Sequence, residues 1–301
     1  MLRELVAAEL SLPVDAAVGD FAHRIAGVLP GTNAVLFYGS CLREAKHDGL
    51  MLDFSVIVDD YAAAYGDWRA RANAAVPPNV FQIAHGSLRA KYAVLSAADF
   101  ARLASARTRN SSVWARFAQP ARLVWTRDTA AHDAAVDAVA GAAPALLAAA
   151  APMLPSRLTT EALWTGAFAL TFAAELRTER SGRGASIVAA DPARYAAFTA
   201  PALAAAGIAA TGTGDHVDIT SPLDRRAATA AWAQRRRAGK LLSAARLAKA
   251  AFTFDGGLDY LAWKIERHSG VPVPVGPWAR RWPLLGGLAM LPRLLRSGAV
   301  K

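Results

Sequence analysis

Two short, almost wholly apolar runs near the N-terminus constrain this chain more than any other feature. Ala34-Val35-Leu36-Phe37-Tyr38 leads straight into Gly39-Ser40, and a second run over residues 50–58 ends in Asp59-Asp60. Runs of this length and make-up fit strands buried on both faces, so the sheet they form must be covered on each side. One acid interrupts the second run: Asp53, flanked by Met51, Leu52, Phe54, Val56, Ile57 and Val58. A carboxylate buried there is costly without a partner, so Asp53 predicts an ion pair or a bound ligand.

A strand ending in Gly-Ser, followed by an acid on the neighbouring strand, suits phosphate chemistry. Gly39 has no side chain, so backbone can approach a polyphosphate closely. Ser40 offers a hydroxyl to a phosphate oxygen, with nearby amide dipoles. Asp53 can hold Mg²⁺ against the same phosphates, where the metal neutralises charge on attacking and leaving oxygens. Thirteen positions separate Ser40 from Asp53, which suits a loop between adjacent strands. The plainer alternative is an ordinary Gly-Ser turn beside a solvated strand aspartate. Polymerase-beta-like nucleotidyltransferases usually carry a second acid two residues on, where this chain has Ser55. Asp59 shares the strand face but lies ~20 Å away at ~3.3 Å per residue, a poor second ligand for one ion.

The remaining patterns set the expected fold class, α+β. Residues 14–28 predict an amphipathic helix, with Val18, Phe21, Ile25 and Val28 at helical spacing. Segments 91–96 and 119–125 read as further strands. From Asp128 to about Ala151 the chain is Ala-rich and helical, and residues 159–177 predict a helix capped by Thr159 or Thr160. Segment 185–188 reads as a strand, 192–206 as a helix, and 208–209 with 216–219 as a hairpin. The expected organisation is a nucleotidyltransferase-type domain over 1–127, a mostly helical, winged-helix-like domain over 128–237, and a basic segment over 238–301.

Charge points to the partner's sign. The chain carries a formal net charge of +10, which favours anionic partners without choosing among nucleotides, nucleic acid and lipid surfaces. A single cysteine, Cys41, excludes an intrachain disulfide and suits a reducing compartment. The start of the chain has early charge and no long apolar run, so no signal peptide is expected. The six histidines are scattered without metal-ligand spacing, so zinc is not expected. Basic residues are not interleaved with an aromatic platform, so nucleic acid is not the expected partner.

Several blocks in order resemble the mitochondrial-type phosphatidate cytidylyltransferases, the translocator assembly and maintenance family. Tyr38-Gly39-Ser40 and Leu52-Asp53-Phe54 through Val58-Asp59-Asp60 resemble its Tyr-Gly-Ser and Leu-Asp-Phe…Val-Asp-Asp pattern. Lys91-Tyr92-Ala93-Val94-Leu95-Ser96 is similar to its Ile-Lys-Tyr-Gly-Val-Ile-Ser strand, and Gln119-Pro120-Ala121 to its Lys-Pro-Val. Met153-Leu154-Pro155, Glu175-Leu176-Arg177 and Lys249-Ala250-Ala251-Phe252-Thr253 resemble later blocks, over roughly four-fifths of the chain. The family's Trp-His after Asp-Asp is absent.

The resemblance implies a polymerase-beta-like fold and attack of phosphatidate on the alpha-phosphate of CTP, releasing pyrophosphate and CDP-diacylglycerol. It implies that Tyr38, Gly39 and Ser40 cradle the nucleotide, that Asp53 ligates Mg²⁺ and that Lys91 neutralises phosphate charge. Asp59, Glu175, Arg177 and Lys249 are weaker candidates. A lipid substrate requires a surface contact, and residues 276–301 hold Trp278, Arg280, Arg281, Trp282, Arg293 and Arg296 among leucines, with no acid. That mixture fits an interfacial segment on an anionic membrane, and a cytoplasmic protein peripheral on the membrane's inner face. A terminal helix docked on the protein's own core is the alternative. Two other functions remain open: nucleotidyl transfer to another acceptor, and a non-catalytic membrane-associated binding protein.

Overall fold

The structure, a computed structural model, describes residues 1–44, 51–85, 88–174, 183–213, 215–253 and 274–281. The chain folds as an α+β protein built on a mixed five-stranded sheet. Helices α1 (Leu2–Leu10) and α2 (Ala16–Val28) lead into strand β1 (Thr32–Tyr38), and Asp15 caps α2 by accepting from the Ala17 amide. A one-turn helix α3 (Ser40–Glu44) follows, then β2 (Met51–Val58), α4 (Tyr61–Tyr65), α5 (Trp68–Ala75), β3 (Asn79–His85) and β4 (Leu88–Ser96). Next come α6 (Ala97–Leu103), the short α7 (Trp114–Phe117), β5 (Ala121–Thr126), α8 (Thr129–Ala140) and α9 (Ala142–Ala150).

The sheet order is β3-β4-β2-β1-β5, with β2 and β4 parallel and the other neighbours antiparallel. Every residue of β1 is buried because the strand feeds two cores. Ala34, Leu36 and Tyr38 point into one, with Ile57 and Leu95; Val35 and Phe37 point into the other, with Phe54, Val56 and α2's Phe21 and Ile25. Alternation thus has no polar face to show, which explains the continuous apolar runs.

The second half adds β6 (Arg157–Thr159), α10 (Thr160–Ala173), α11 (Arg183–Ala189), α12 (Pro192–Ala205), β7 (Ala209–Thr213), β8 (His216–Thr220), the long α13 (Arg225–Thr253) and α14 (Pro277–Arg281). Strands β6, β8 and β7 form a small antiparallel sheet in that order. Thr159 is the cap of α10, accepting from the Ala162 amide at 3.1 Å.

Three expectations need correction. Segment 185–188 is not a strand but part of α11, where a backbone carbonyl of α10 comes so near Gly184 that an added Cβ would lie 3.0 Å from it. Four apolar residues fit either geometry, and packing on α10 settles which forms. The division at 237/238 falls inside α13, which runs unbroken from Arg225 to Thr253. At 127/128 no gap in packing occurs: one core joins Leu36 and Tyr38 of the sheet to Val136, Leu146, Trp164, Tyr195 and Trp232. The Ala-rich stretch Thr129–Met153 has the length and apolarity of a membrane span, yet its most apolar window is 56% buried in the protein.

Candidate active site

Register places the residues singled out by sequence. Tyr38 lies directly opposite Asp53 in the antiparallel β1–β2 ladder, and Asp53 lies beside Lys91 in the parallel β2–β4 ladder. Partners level with one another project to the same side, so Tyr38, Asp53 and Lys91 form a row across three strands. Gln82 of β3 extends the row at one end. The two residues that follow Tyr38 turn the chain away from the sheet into α3.

Gly39 makes that turn with φ at +98°, a conformation that L side chains rarely adopt. A Cβ here would lie 2.6 Å from Asp53 Oδ2. The glycine backbone is therefore pressed against the carboxylate, and both reasons exclude a side chain. Ser40, the first residue of α3, stands immediately beyond it.

Asp53 Oδ1 lies 2.9 Å from Lys91 Nζ, with the aspartate side chain 18% exposed and the lysine 37%. The same oxygen has no aligned hydrogen-bond donor, so the ammonium offers charge rather than a well-directed hydrogen bond. Ser55, where a second acid would stand, is buried, and its hydroxyl donates to the Ala93 carbonyl at 3.5 Å. The row therefore carries one carboxylate among the described residues, and no group of three His, Cys, Asp or Glu side chains gathers there to hold a metal. Mg²⁺ commonly takes one or two carboxylates and completes its shell with water and substrate phosphates. A buried aspartate oxygen lacking an aligned donor fits that single-carboxylate form.

The other candidates lie elsewhere. Asp59 is at the far end of β2, paired with Arg127 at 2.8 Å. The hydrogen bond from Arg127, then that of Asn33, holds its carboxyl below the usual range. Asp60 caps α4 by accepting from the Ala63 amide. Lys249 of α13 donates to the carbonyls of Val76 and Pro78 and lies 3.4 Å from Asn73 Oδ1. Burial, then the neighbouring Arg246, brings its ammonium down to about 7. It clasps the turn before β3 and does not join the Asp53 row. Glu175 and Arg177 lie outside the described residues, as do Trp282, Arg293 and Arg296. Trp278 is 56% exposed on α14, which also contains Arg280 and Arg281.

One residue beside the row escaped the sequence reading. The Arg116 guanidinium carbon sits 5.2 Å from the centre of the Tyr38 ring. Its helix, α7, is four residues long, too short for a periodic signal, and nothing in the local sequence links it to β1.

No protein-family model matches the chain, and no curated protein matches it.

Proposed function

We propose that the protein is a nucleotidyltransferase acting through the Tyr38–Asp53–Lys91 row, with CTP and phosphatidate as substrates and CDP-diacylglycerol and pyrophosphate as products. The observation that carries this reading is Gly39, held at positive φ and closed directly onto a carboxylate that is already paired with a lysine. Glycine takes that φ without steric cost, so the backbone can close onto the acid, and the arrangement offers backbone, acid and cation at one place. The strand, Gly-Ser turn and antiparallel acid-bearing strand support a polymerase-beta-like fold. The helices around the β6-β8-β7 sheet support a winged-helix-like second unit.

In this reading the backbone at Gly39 and the Ser40 hydroxyl hold phosphate oxygens. Lys91 moves from Asp53 to the phosphates as they enter, because a polyphosphate carries more charge than one carboxylate. Asp53 is then the residue that would hold Mg²⁺, whose contribution is to neutralise charge at the reacting phosphoryl group. The acceptor phosphate is already ionised near neutral pH, so no general base is required. Positioning and charge neutralisation supply most of the rate. The exposed Trp278 of α14 and the basic residues around it support contact with an anionic lipid surface.

Ser55 favours a second reading, a membrane-associated binding protein without turnover. One assay separates the two: purified protein with each nucleoside triphosphate, Mg²⁺ and phosphatidate vesicles, measuring pyrophosphate and CDP-diacylglycerol. Both products with CTP are expected. Pyrophosphate formed without lipid dependence would redirect the acceptor, and none under any condition would leave the binding reading standing. Asp53→Asn should lower turnover by about 10²–10³ while the fold is retained; undiminished activity would overturn the assignment of the row.

A further inference from the structure

The stretch from Ser111 to Ala118 is core apart from one residue: Trp114, Ala115, Phe117 and Ala118 are buried, as are Ser111, Ser112 and Val113, and only Arg116 is partly exposed. Its guanidinium carbon lies over the Tyr38 ring, 5.2 Å from the centre, and the group donates to the Ser112 carbonyl at 3.5 Å. The ring beneath it is held from another side by Phe117, edge-on at 5.5 Å. The turn itself is pinned from outside, since Arg246 of α13 donates to Ser112 Oγ at 3.0 Å and to the Pro77 carbonyl at 2.8 Å. A cation is thus mounted on a rigid aromatic platform, and that platform is the residue opposite Asp53.

Across the row the order is Arg116 above Tyr38, then Asp53, then Lys91. Neighbouring strands are about 4.8 Å apart, so the Tyr38 and Lys91 backbones are separated by roughly 10 Å. The strand that carries Tyr38 and the strand that carries Lys91 thus lie on either side of the strand that carries Asp53. One phosphate could sit near each cation, with the reacting phosphoryl group between them over Asp53. Resting on the transferase reading above, we propose that Arg116 is a phosphate-binding residue of this site, held over Tyr38, whose strand borders that of Asp53 on the side away from Lys91's strand. The phosphate it takes belongs either to the nucleotide or to the acceptor. A planar guanidinium presents its N–H groups in a fixed fork, which suits two phosphate oxygens better than an ammonium does.

The test compares wild type with Arg116→Lys and Arg116→Met in two arms. Calorimetry measures CTP binding with Mg²⁺, and flotation measures binding to phosphatidylcholine vesicles with and without phosphatidate; thermal melting checks each variant's fold. Losing a charge-assisted hydrogen bond should weaken the affected ligand about 10-fold or more in Arg116→Met, with Arg116→Lys in between. A loss confined to CTP assigns the phosphate to the nucleotide, and a loss confined to phosphatidate-dependent flotation assigns it to the acceptor. Wild-type affinities in both variants would overturn the proposal while leaving the transferase reading intact. Lower melting temperature with unchanged affinities would make Arg116 a packing residue and overturn it as well. A wild-type protein that binds neither ligand would remove the transferase reading first, and this inference with it.

Discussion

At position 39 two separate constraints meet, and they can be told apart by substitution. Gly39→Ala must hold a side chain at positive φ, which costs about 1–3 kcal/mol. It must also place a methyl 2.6 Å from the Asp53 carboxylate. The expected result is a loss of stability in urea titration larger than the φ cost alone. Combining it with Asp53→Ala, which removes the 2.6 Å contact but keeps the Asp53 Cβ at 3.2 Å, should recover most of the excess. Equal losses in both backgrounds would mean that the carboxylate moves aside without resistance. Gly39, Ser40 and Asp53 stood out in the sequence because each sits on, or directly after, a run whose apolarity announces a buried strand, whereas Lys91 was singled out through the family resemblance. Arg116 did not, because its contact with Tyr38 joins segments nearly eighty residues apart that share no pattern.

Among the elements, α13 is the one whose role changed most. It was divided by sequence at 237/238 because the chain turns basic and rich in Trp and Leu there, a shift that introduces no proline at the boundary. Its Arg246 and Lys249 reach the Val76–Pro78 turn, and Asn73, which lies beside Lys249, donates to the Val94 carbonyl of β4. The lysine makes this docking sensitive to pH. Its folded value of about 7 lies below the ordinary 10.5, so between those limits the unfolded chain binds more protons. Stability should therefore rise as pH increases from 7 towards 10.5, with the full cost of the buried charge present below 7. Lys249→Met should flatten that slope in denaturation curves taken from pH 6 to 9; an unchanged slope would show that the ammonium stays charged in its ring of carbonyls. Strands β1, β2 and β4 were readable for their buried runs, and the edge strand β5 for the apolar Leu123-Val124-Trp125. Strand β3 was not: it follows Pro77-Pro78, carries Gln82 and His85, and lies at the sheet's edge, where burial imposes no clear alternation.

For the whole molecule, the core that runs from β1 through α8, α9 and α12 to Trp232 predicts one cooperative unit. Trp232 is fully buried, and its indole N–H donates to the Ala149 carbonyl at 2.8 Å. Trp232→Ala should cost about 3–5 kcal/mol, and calorimetry should show a single transition shifted downwards. A fragment of residues 1–127 should fail to fold, because the core on one face of its sheet would lose α8, α9, α10 and α12 and keep only α1, α6 and α7. Two separate transitions in the full chain would contradict both expectations. The α+β class was legible from strand runs interleaved with helical periodicity, whereas the sharing of one core by both halves was not. Apolar residues declare that they will be covered, but not by which distant segment.

Helix α13 also meets the C-terminal end of α10 at Gly239, where an added Cβ would collide with the carbonyl of the capping residue Ala174. On one side of that contact Trp232 is fixed in the core; on the other, Arg246 and Lys249 grip the turn ahead of β3. At about 1.5 Å per residue the helix is some 43 Å long, a stiff rod resting on a fulcrum near its middle. A pull on the chain beyond Thr253, such as that of a segment settling onto a surface, would be delivered as leverage at the grip, beside the strand that carries Lys91.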